Sequence, residues 1–440
     1  MANTYLTHTT STPTNNDKCT ISFWIKFSNV GSDLGVFSQH TDSNNRIQLA
    51  RLTSGALSLF QKVSSSIEIS ITTNRLFRDV SAWYNVVIAF DTTQSTASDR
   101  VKFYVNGVQE TSFSVSTYPS QNTDIRFNSS SLSQEIGRIT ADTYMNGYMS
   151  HVAFVDGQAL APTVFGQTDS TSGIWKFKNP TGITWGNNGF HLKFENSGAL
   201  GTDSSGNSNT FTVNGNGKQA LDTPTNIHAT MNSLVPSSSV TFSNGNNTLT
   251  GSVSDNYSSN NIATLGASSG KWYWEAKYTT ANANTNPTVG IAKMENYRAD
   301  VNNTTTSGYA VVRLDGEIQV DGSNAGSSYW GSNPVAGDII MFALDMDNGK
   351  FYLGKNGSWE NSGVPTSGST GTGSITSSLS GTQAPCIRYL ASVFDTNFGN
   401  GFFGTTAISS AGSNGNGSLF EYDVPSGYYA LNTKNINTYG

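Results

Sequence analysis

Cleaving a glycoside takes two carboxylates about 5–5.5 Å or about 6.5–9.5 Å apart, and residues i and i+2 of a strand share a face. Three stretches of this 440-residue chain offer that spacing: Asp315-Gly-Glu317, Asp345-Met-Asp347 and Glu421-Tyr-Asp423. The first two flank glycine turns, where acids commonly serve as turn and cap residues. A hydrolase would therefore rest on Glu421 and Asp423. The five histidines, His8, His40, His151, His191 and His228, are scattered. No two have metal-ligand spacing, and none adjoins a Cys or Ser in a nucleophile arrangement. Gly215-Asn-Gly-Lys and Gly266-Ala-Ser-Ser-Gly-Lys have the wrong spacing for a phosphate loop. Asp203 and Asn207 could offer oxygen ligands to calcium, although a plain Asp/Gly turn is the simpler account. No catalytic residue is assigned, no cofactor is expected, and calcium is the one ion with a candidate site.

Binding is the better-supported chemistry. A sugar presents an apolar face and many hydroxyls, so its site wants an aromatic ring together with Asn, Asp or Ser. Tyr297-Arg298, Tyr329-Trp330 and Trp359 stand outside the alternating stretches, as do Trp175 and Trp185. These seven residues are the candidates for glycan or receptor binding, against the alternative that each ring caps a core edge. Trp24, Trp83, Trp272 and Trp274 lie in or at the ends of alternating stretches and are assigned mostly to core.

The elements that would carry these rings are strands. Thr20-Ile-Ser-Phe-Trp-Ile-Lys-Phe, Ser66-Ile-Glu-Ile-Ser-Ile and Tyr148-Met-Ser-His-Val-Ala-Phe-Val-Asp alternate with period two. Arg46-Ile-Gln-Leu-Ala-Arg-Leu and Ala56-Leu-Ser-Leu-Phe predict a hairpin around Ser54-Gly55. Only Ala159-Leu-Ala-Pro-Thr-Val-Phe predicts a helical turn, since proline suits a first helical position. One pattern occurs twice: Val86-Val-Ile-Ala-Phe-Asp91 before Val101-Lys-Phe-Tyr-Val-Asn-Gly107, and Ile339-Ile-Met-Phe-Ala-Leu-Asp-Met-Asp347 before Lys350-Phe-Tyr-Leu-Gly-Lys-Asn-Gly357. Asn-Gly suits a two-residue hairpin because both residues accept positive φ.

Composition agrees with an all-β chain. Charged residues make up 12%, against about 25% in typical domains. Ser, Thr, Asn and Gly replace them and disfavour helices. Hydrophobic residues, at 36%, suffice for sizeable cores. The net charge of −6 and the lack of a basic stripe exclude nucleic-acid binding. Two distant cysteines, Cys19 and Cys386, make no disulfide framework and read as small core residues. The first eight residues show neither a charged n-region nor an apolar h-region, so no signal peptide is expected. The longest apolar runs are too short to insert in a membrane. Pro224, Pro236 and a serine run break the pattern between residues 221 and 239. The expected division is a polar N-terminal arm at 1–17, one sandwich at 18–230 and a second at 231–440.

Residues 15–170 resemble the laminin G-like branch of the concanavalin A-like jelly rolls. The matching segments keep that family's order: Ile21-Ser-Phe-Trp-Ile-Lys, Ala82-Trp-Tyr-Asn-Val-Val-Ile-Ala-Phe-Asp, Val101-Lys-Phe-Tyr-Val-Asn-Gly, Glu135-Ile-Gly-Arg and Met145-Asn-Gly-Tyr-Met-Ser-His-Val-Ala-Phe. Phe190-His-Leu-Lys-Phe-Glu with Thr202-Asp-Ser-Ser-Gly-Asn resembles the segment that opens such a domain. Here it comes last, so it should supply strands from the C-terminal side or begin a small extra layer. Residues 240–405 resemble a SPRY domain through Gly270-Lys-Trp-Tyr-Trp-Glu-Ala, Val289-Gly-Ile-Ala, Leu314-Asp-Gly-Glu-Ile, the repeated hairpin, Ala384-Pro-Cys-Ile-Arg and Val393-Phe-Asp-Thr-Asn-Phe-Gly.

These resemblances imply two tandem antiparallel β-sandwiches, with ligands taken by loops at one end of the SPRY-like one. Glucanases of the concanavalin A-like superfamily carry a Glu-x-Asp-x-x-Glu strand, and Glu421-Tyr-Asp423 supplies only its first two acids. In tandem, with the intervening Leu221-Asp-Thr-Pro-Thr-Asn, the two domains look like bacteriophage virion proteins. The expected function is a non-enzymatic virion surface protein (tail fibre, spike or capsid-bound adhesin) recognising host-surface glycan. A decoration, cement or tail-adaptor protein without its own ligand is the alternative, and an envelope polysaccharide hydrolase the third. The expected partners are other virion proteins, host glycan and further copies of the chain, with no nucleic acid and no membrane insertion. The expected location is the virion, after synthesis in a host cytoplasm.

Overall fold

The computed structural model describes every residue except 1–2, 29, 236–239, 253–259, 282–286, 297–307 and 377. The chain is all-β, as expected. Among the described residues the one α-helix is Thr433–Tyr439, and no helix is long and apolar enough to cross a membrane. Two compact units divide it, Met1–Gln219 and Ala220–Gly440.

The first unit packs an eight-stranded sheet on a six-stranded one. The larger runs Phe113–Thr117, Ser66–Leu76, Ala56–Val63, Asn45–Arg51, Leu34–Asp42, Ser133–Ile136, Tyr5–Thr9, Thr212–Asn214. The smaller runs Phe190–Leu192, Gly147–Asp156, Lys18–Phe27, Tyr84–Asp91, Val101–Val105, Val108–Gln109. Alternation sends Ile21, Phe23, Ile25 and Phe27 inward against Ile47, Leu49, Leu57, Leu59, Ile69 and Ile71 from the facing sheet. Phe190–Leu192 and Thr212–Asn214 are edge strands, one in each sheet. The late segment therefore completes the sandwich from the C-terminal side. Pro162–Val164 forms the expected single turn, as a 3-10 helix with its proline first.

The N-terminal arm is corrected. Tyr5–Thr9 is an interior strand, paired on one side through Leu6↔Ile136 and on the other through Leu6↔Val213. The next residues are tied down by the buried Asp156, whose carboxylate accepts from Thr14 N (2.8 Å) and Asn15 N (3.2 Å).

The second unit repeats the two-layer plan. Its larger sheet runs Val240–Ser243, Thr248–Gly251, Val393–Asn397, Lys271–Thr280, Ile339–Asp345, Lys350–Lys355, Ser358–Trp359, and Tyr429–Ala430 joins Lys271–Thr280 in parallel. Its smaller sheet runs Asn260–Ile262, Gln383–Arg388, Thr288–Lys293, Tyr309–Arg313, Ile318–Val320, Ser323–Gly326. Trp272, Trp274, Ile340, Phe342, Leu353 and Phe394 fill the space between them. Residues 220–230 belong here rather than to the first unit, because the C-terminus holds them. Ile227 N donates to Thr433 Oγ1 (3.0 Å) and Ala229 N to Leu431 O (3.0 Å).

The outer face of the larger sheet in this unit is apolar too. Tyr273, Met341, Ala343 and Tyr352 point away from the core and are covered by Phe420, Val424, Tyr428 and Ala430 of the C-terminal segment. That cover creates the site described next.

Candidate functional site

The hairpin Lys350–Lys355/Ser358–Trp359 turns through Asn356 and Gly357, which have φ of +50° and +85°. Positive φ at both central residues gives the turn that matches strand twist. Asn356 Oδ1 accepts from Ile339 N (2.9 Å), and Asn356 N donates to Ile339 O (2.9 Å). The turn is thereby bolted to the neighbouring strand, and Trp359 is placed just after it. The Trp359 ring lies half-buried and edge-on to Tyr273, with centroids 6.4 Å apart at 75°.

The opposite wall comes from the C-terminal segment. Residues 409–413 run beside 420–424, with Gly412 N bonded to Phe420 O (2.9 Å) and Val424 N to Ser413 O (3.0 Å). Gly412 is needed for this approach, since a Cβ there would stand 2.2 Å from the Tyr422 carbonyl carbon. Both Glu421 oxygens accept from Ser409, through its backbone N–H (2.7 Å) and its hydroxyl. Asp423 Oδ1 accepts from Ser413 N (2.6 Å), and the Ser413 backbone and side chain hold this exposed carboxyl below its usual range.

Between the walls lies a cleft of about 350 Å³, lined by Trp359, Tyr422, Met341, Glu421, Asp423, Gly357 and residues 410–412. That volume falls in the lower part of the ~300–1,000 Å³ range of small-ligand sites. Two rings, two carboxylates and Ser410 line it, and no Lys, Arg or His does so among the described residues. The chemistry on offer is stacking plus hydrogen-bond acceptance.

Beneath the wall is Glu275, fully buried. Its Oε2 accepts from Glu421 N (2.9 Å) and Asn397 Nδ2 (3.4 Å), and its Oε1 from Tyr422 N (2.9 Å) and Tyr273 Oη (2.9 Å). Burial pushes this carboxyl up to about 7, the four donors pulling the other way. The same burial, reinforced by Glu275, drives the Tyr273 hydroxyl well above its ordinary value.

The seven candidate rings and neighbours part company. Trp359 is in the cleft. Tyr329 and Trp330 are corrected to core: they are 5% and 4% exposed. The Tyr329 hydroxyl bonds Leu353 O (3.2 Å) and Trp330 Nε1 bonds Arg313 O (2.9 Å). A ring whose polar atom finds a backbone partner is free to be buried. Trp175 and Trp185 are lids on the outer face of the first unit's smaller sheet, not free platforms. Trp175 Nε1 donates to Asn85 Oδ1 (2.9 Å), and Trp185 stacks on His191 with centroids 5.8 Å apart. Tyr297 and Arg298 lie outside the described residues.

The other acids are structural. Arg313 pairs with both Asp315 (2.6 Å) and Glu317. Asp345 is fully buried against Lys271 (3.0 Å), and Asp347 accepts from Gly270 N (2.7 Å). The calcium candidates are occupied otherwise. Asp203 accepts from the backbones of His191 (2.9 Å), Ser205 (2.8 Å) and Asn209 (2.9 Å), while Asn207 turns its amide N–H groups toward Gly186 O and Gly189 O. Among the described residues no three His, Cys, Asp or Glu side chains are grouped to hold a metal ion. Sequence reasoning missed Tyr422, Met341 and Glu275. Glu421-Tyr-Asp423 was legible, but as a pair of acids rather than as the ring between them.

A family model described as the concanavalin A-like lectin/glucanases superfamily matches residues 1–164. No curated protein matches the chain. Among solved structures it is similar to the SPRY domain of human HERC1, at 20% identity over 36% of this chain and 91% of that one, with a TM-score of 0.28. It is also similar to the heptameric SAP-like pentraxin of Limulus polyphemus, at 16% identity over 42% and 82% of the two chains, with a TM-score of 0.30. A third is domain 4 of the Geobacillus stearothermophilus arabinanase AbnA in complex with arabinotriose, at 19% identity over 33% and 64%, with a TM-score of 0.25.

Proposed function

We propose that the second unit binds a glycan in the Trp359–Tyr422 cleft without cleaving it, and that the chain is a virion surface protein of a bacteriophage that attaches to host-surface glycan. The observation that supports binding is the cleft itself, where two rings suit a sugar's apolar face and Glu421, Asp423 and Ser410 suit its hydroxyls. Hydrolysis is disfavoured because both Glu421 oxygens are engaged by Ser409 and Asp423 is held ionised, whereas a general acid needs a raised pKa. Among the described residues every charge lining the cleft is negative, so the fitting ligand is a neutral or amine-bearing oligosaccharide rather than a uronic or sialic one. The virion setting is supported by the two-domain sequence pattern, and further virion proteins and further copies of the chain are its proposed partners.

A glycan array with the intact protein and a Trp359→Ala variant tests the reading. Neutral glycans should be retained by the wild type and lost by the variant. Failure of the wild type to bind any glycan or the host envelope would overturn it in favour of a decoration role without a ligand.

A further inference from the structure

Glu275 is a charge-bearing side chain with no solvent contact, placed on a central strand whose outer face is otherwise apolar. Four donors converge on its two oxygens, and two of them are consecutive backbone N–H groups, those of Glu421 and Tyr422. A lone aliphatic residue at 275 would leave both N–H groups buried without partners, a costly arrangement. These two amides belong to the residues that form one wall of the cleft.

We propose that Glu275 is the positioning residue of the cleft: its carboxylate sets where the Glu421 and Tyr422 side chains stand, and adding a proton to it slackens that wall. This rests on the reading of the cleft as the ligand site. The ionised carboxylate has acceptor sites for all four donors. A protonated carboxyl is a neutral acceptor, to which each of these bonds is weaker, and its new O–H displaces or reverses one of them.

Burial explains why such a proton can be gained near neutrality, against the pull of the donors around Glu275. From its own strand comes the Tyr273 hydroxyl, from the neighbouring strand the Asn397 amide, and from the C-terminal segment Tyr422 with the acids Glu421 and Asp423. Asp338 adds a further negative charge next to Tyr422. The hydrogen-bond partners of Glu275 include no Lys, Arg or His among the described residues, and burial carries its carboxyl up to about 7. Glu275 does not line the cleft, so its proton would act on binding through the wall.

Amide hydrogen exchange of the intact chain between pH 5.5 and 8.5, corrected for intrinsic rates, reads the wall without any ligand. In the wild type, protection of the Glu421 and Tyr422 amides should fall about tenfold as pH drops through 7, the difference between a hydrogen bond to a charged acceptor and one to a neutral acceptor. In Glu275→Gln it should be low at pH 8.5 and independent of pH, because the new amide places N–H groups where acceptors stood. Amides of the core strand Ile339–Asp345 should match between the two proteins, showing that the variant is folded. Wild-type protection at pH 8.5 in Glu275→Gln, or a flat wild-type profile, overturns the proposal. The same two proteins on the array at pH 6 and 8 separate the two readings. Wall loosening with no glycan bound at either pH sinks the ligand reading and leaves the carboxylate's hold on the wall established, whereas pH-dependent binding by the wild type and pH-independent binding by the variant support both.

Discussion

The Tyr422 ring rests on Gly357. A Cβ at that glycine would stand 3.1 Å from ring carbon Cδ1 and 3.3 Å from Cε1. The first unit makes the same construction from different residues. Asn106 and Gly107 turn with φ of +49° and +79°, Asn106 Oδ1 accepts from Asn85 N (2.8 Å), and Trp175 covers Gly107 so closely that a Cβ would stand 2.4 Å from the ring. The repeated Asn-Gly is thus a hairpin turn bolted to the previous strand and roofed by an aromatic residue from later in the chain. In the first unit the roof is locked by the Trp175 bond to Asn85. In the second, Tyr422 and Trp359 both line an open cleft.

Replacing Gly357 by alanine should therefore act twice. A side chain at φ of +85° costs about 1 kcal/mol, and the new methyl displaces Tyr422. The expected outcome is a melting temperature lower by a few degrees together with several-fold weaker glycan retention. Gly107→Ala should destabilise the first unit and leave glycan retention unchanged. Differential scanning calorimetry alongside the array distinguishes them.

The aromatic residues should separate by variant. Trp330→Ala removes a core ring and should cost about 3–5 kcal/mol, seen as a large drop in the denaturation midpoint. Trp359→Ala removes a half-buried ring, so its midpoint should move less while glycan binding disappears. Equal midpoint losses would contradict the assignment of Trp359 to the cleft.

Much of the sandwich was legible because its strands obey period two. Ile21, Phe23, Ile25 and Phe27 alternate inward, and the Asn-Gly turns announce themselves through positive φ. What escaped depends on partners far along the chain. Polarity made residues 1–17 read as an arm, yet Leu6 sits between Ile136 and Val213. Tyr329 and Trp330 fall outside any alternating stretch, and only the carbonyls of Leu353 and Arg313 explain why they are buried. The cleft was half visible. Its acids stood out in sequence, but the wall is fixed by Glu275, which a strand pattern alone assigns no role.

Charge should set the cleft's selectivity. The double variant Glu421→Gln with Asp423→Asn keeps one acceptor oxygen at each position and removes both negative charges. Wild-type protein should reject oligogalacturonate and bind neutral oligomers, less affected by salt. The double variant should bind oligogalacturonate measurably, with the neutral oligomers within a few-fold of wild type. Each charge pair at such a partly exposed site is worth about 0.2–1 kcal/mol, so removing both gives a change of about two- to thirtyfold by isothermal titration calorimetry at low ionic strength.

Glu275 also makes stability depend on pH, with a sign opposite to its proposed effect on binding. Its carboxyl is raised from 4.5 to about 7 in the folded chain, so the folded state holds a proton that the unfolded state has released. The contribution is fully present below about pH 4.5 and is lost as pH rises through 7. The wild-type melting temperature of the second unit should fall between pH 5 and 7.5, by at most about 3–5 °C per pH unit. His151 and His191 in the first unit act the other way. Burial lowers them to about 3 and about 4, so the stability they contribute is present above about 6.5 and lost on acidification. The informative quantity is therefore the difference between wild type and Glu275→Gln, which cancels the histidines. That difference should favour the wild type increasingly toward pH 5. A difference that is flat from pH 5 to 7.5 would mean that Glu275 titrates outside this window. Taken with the exchange experiment, a wall that loosens on acidification while the unit becomes harder to melt would show that lost binding in acid reflects the moved wall and not unfolding.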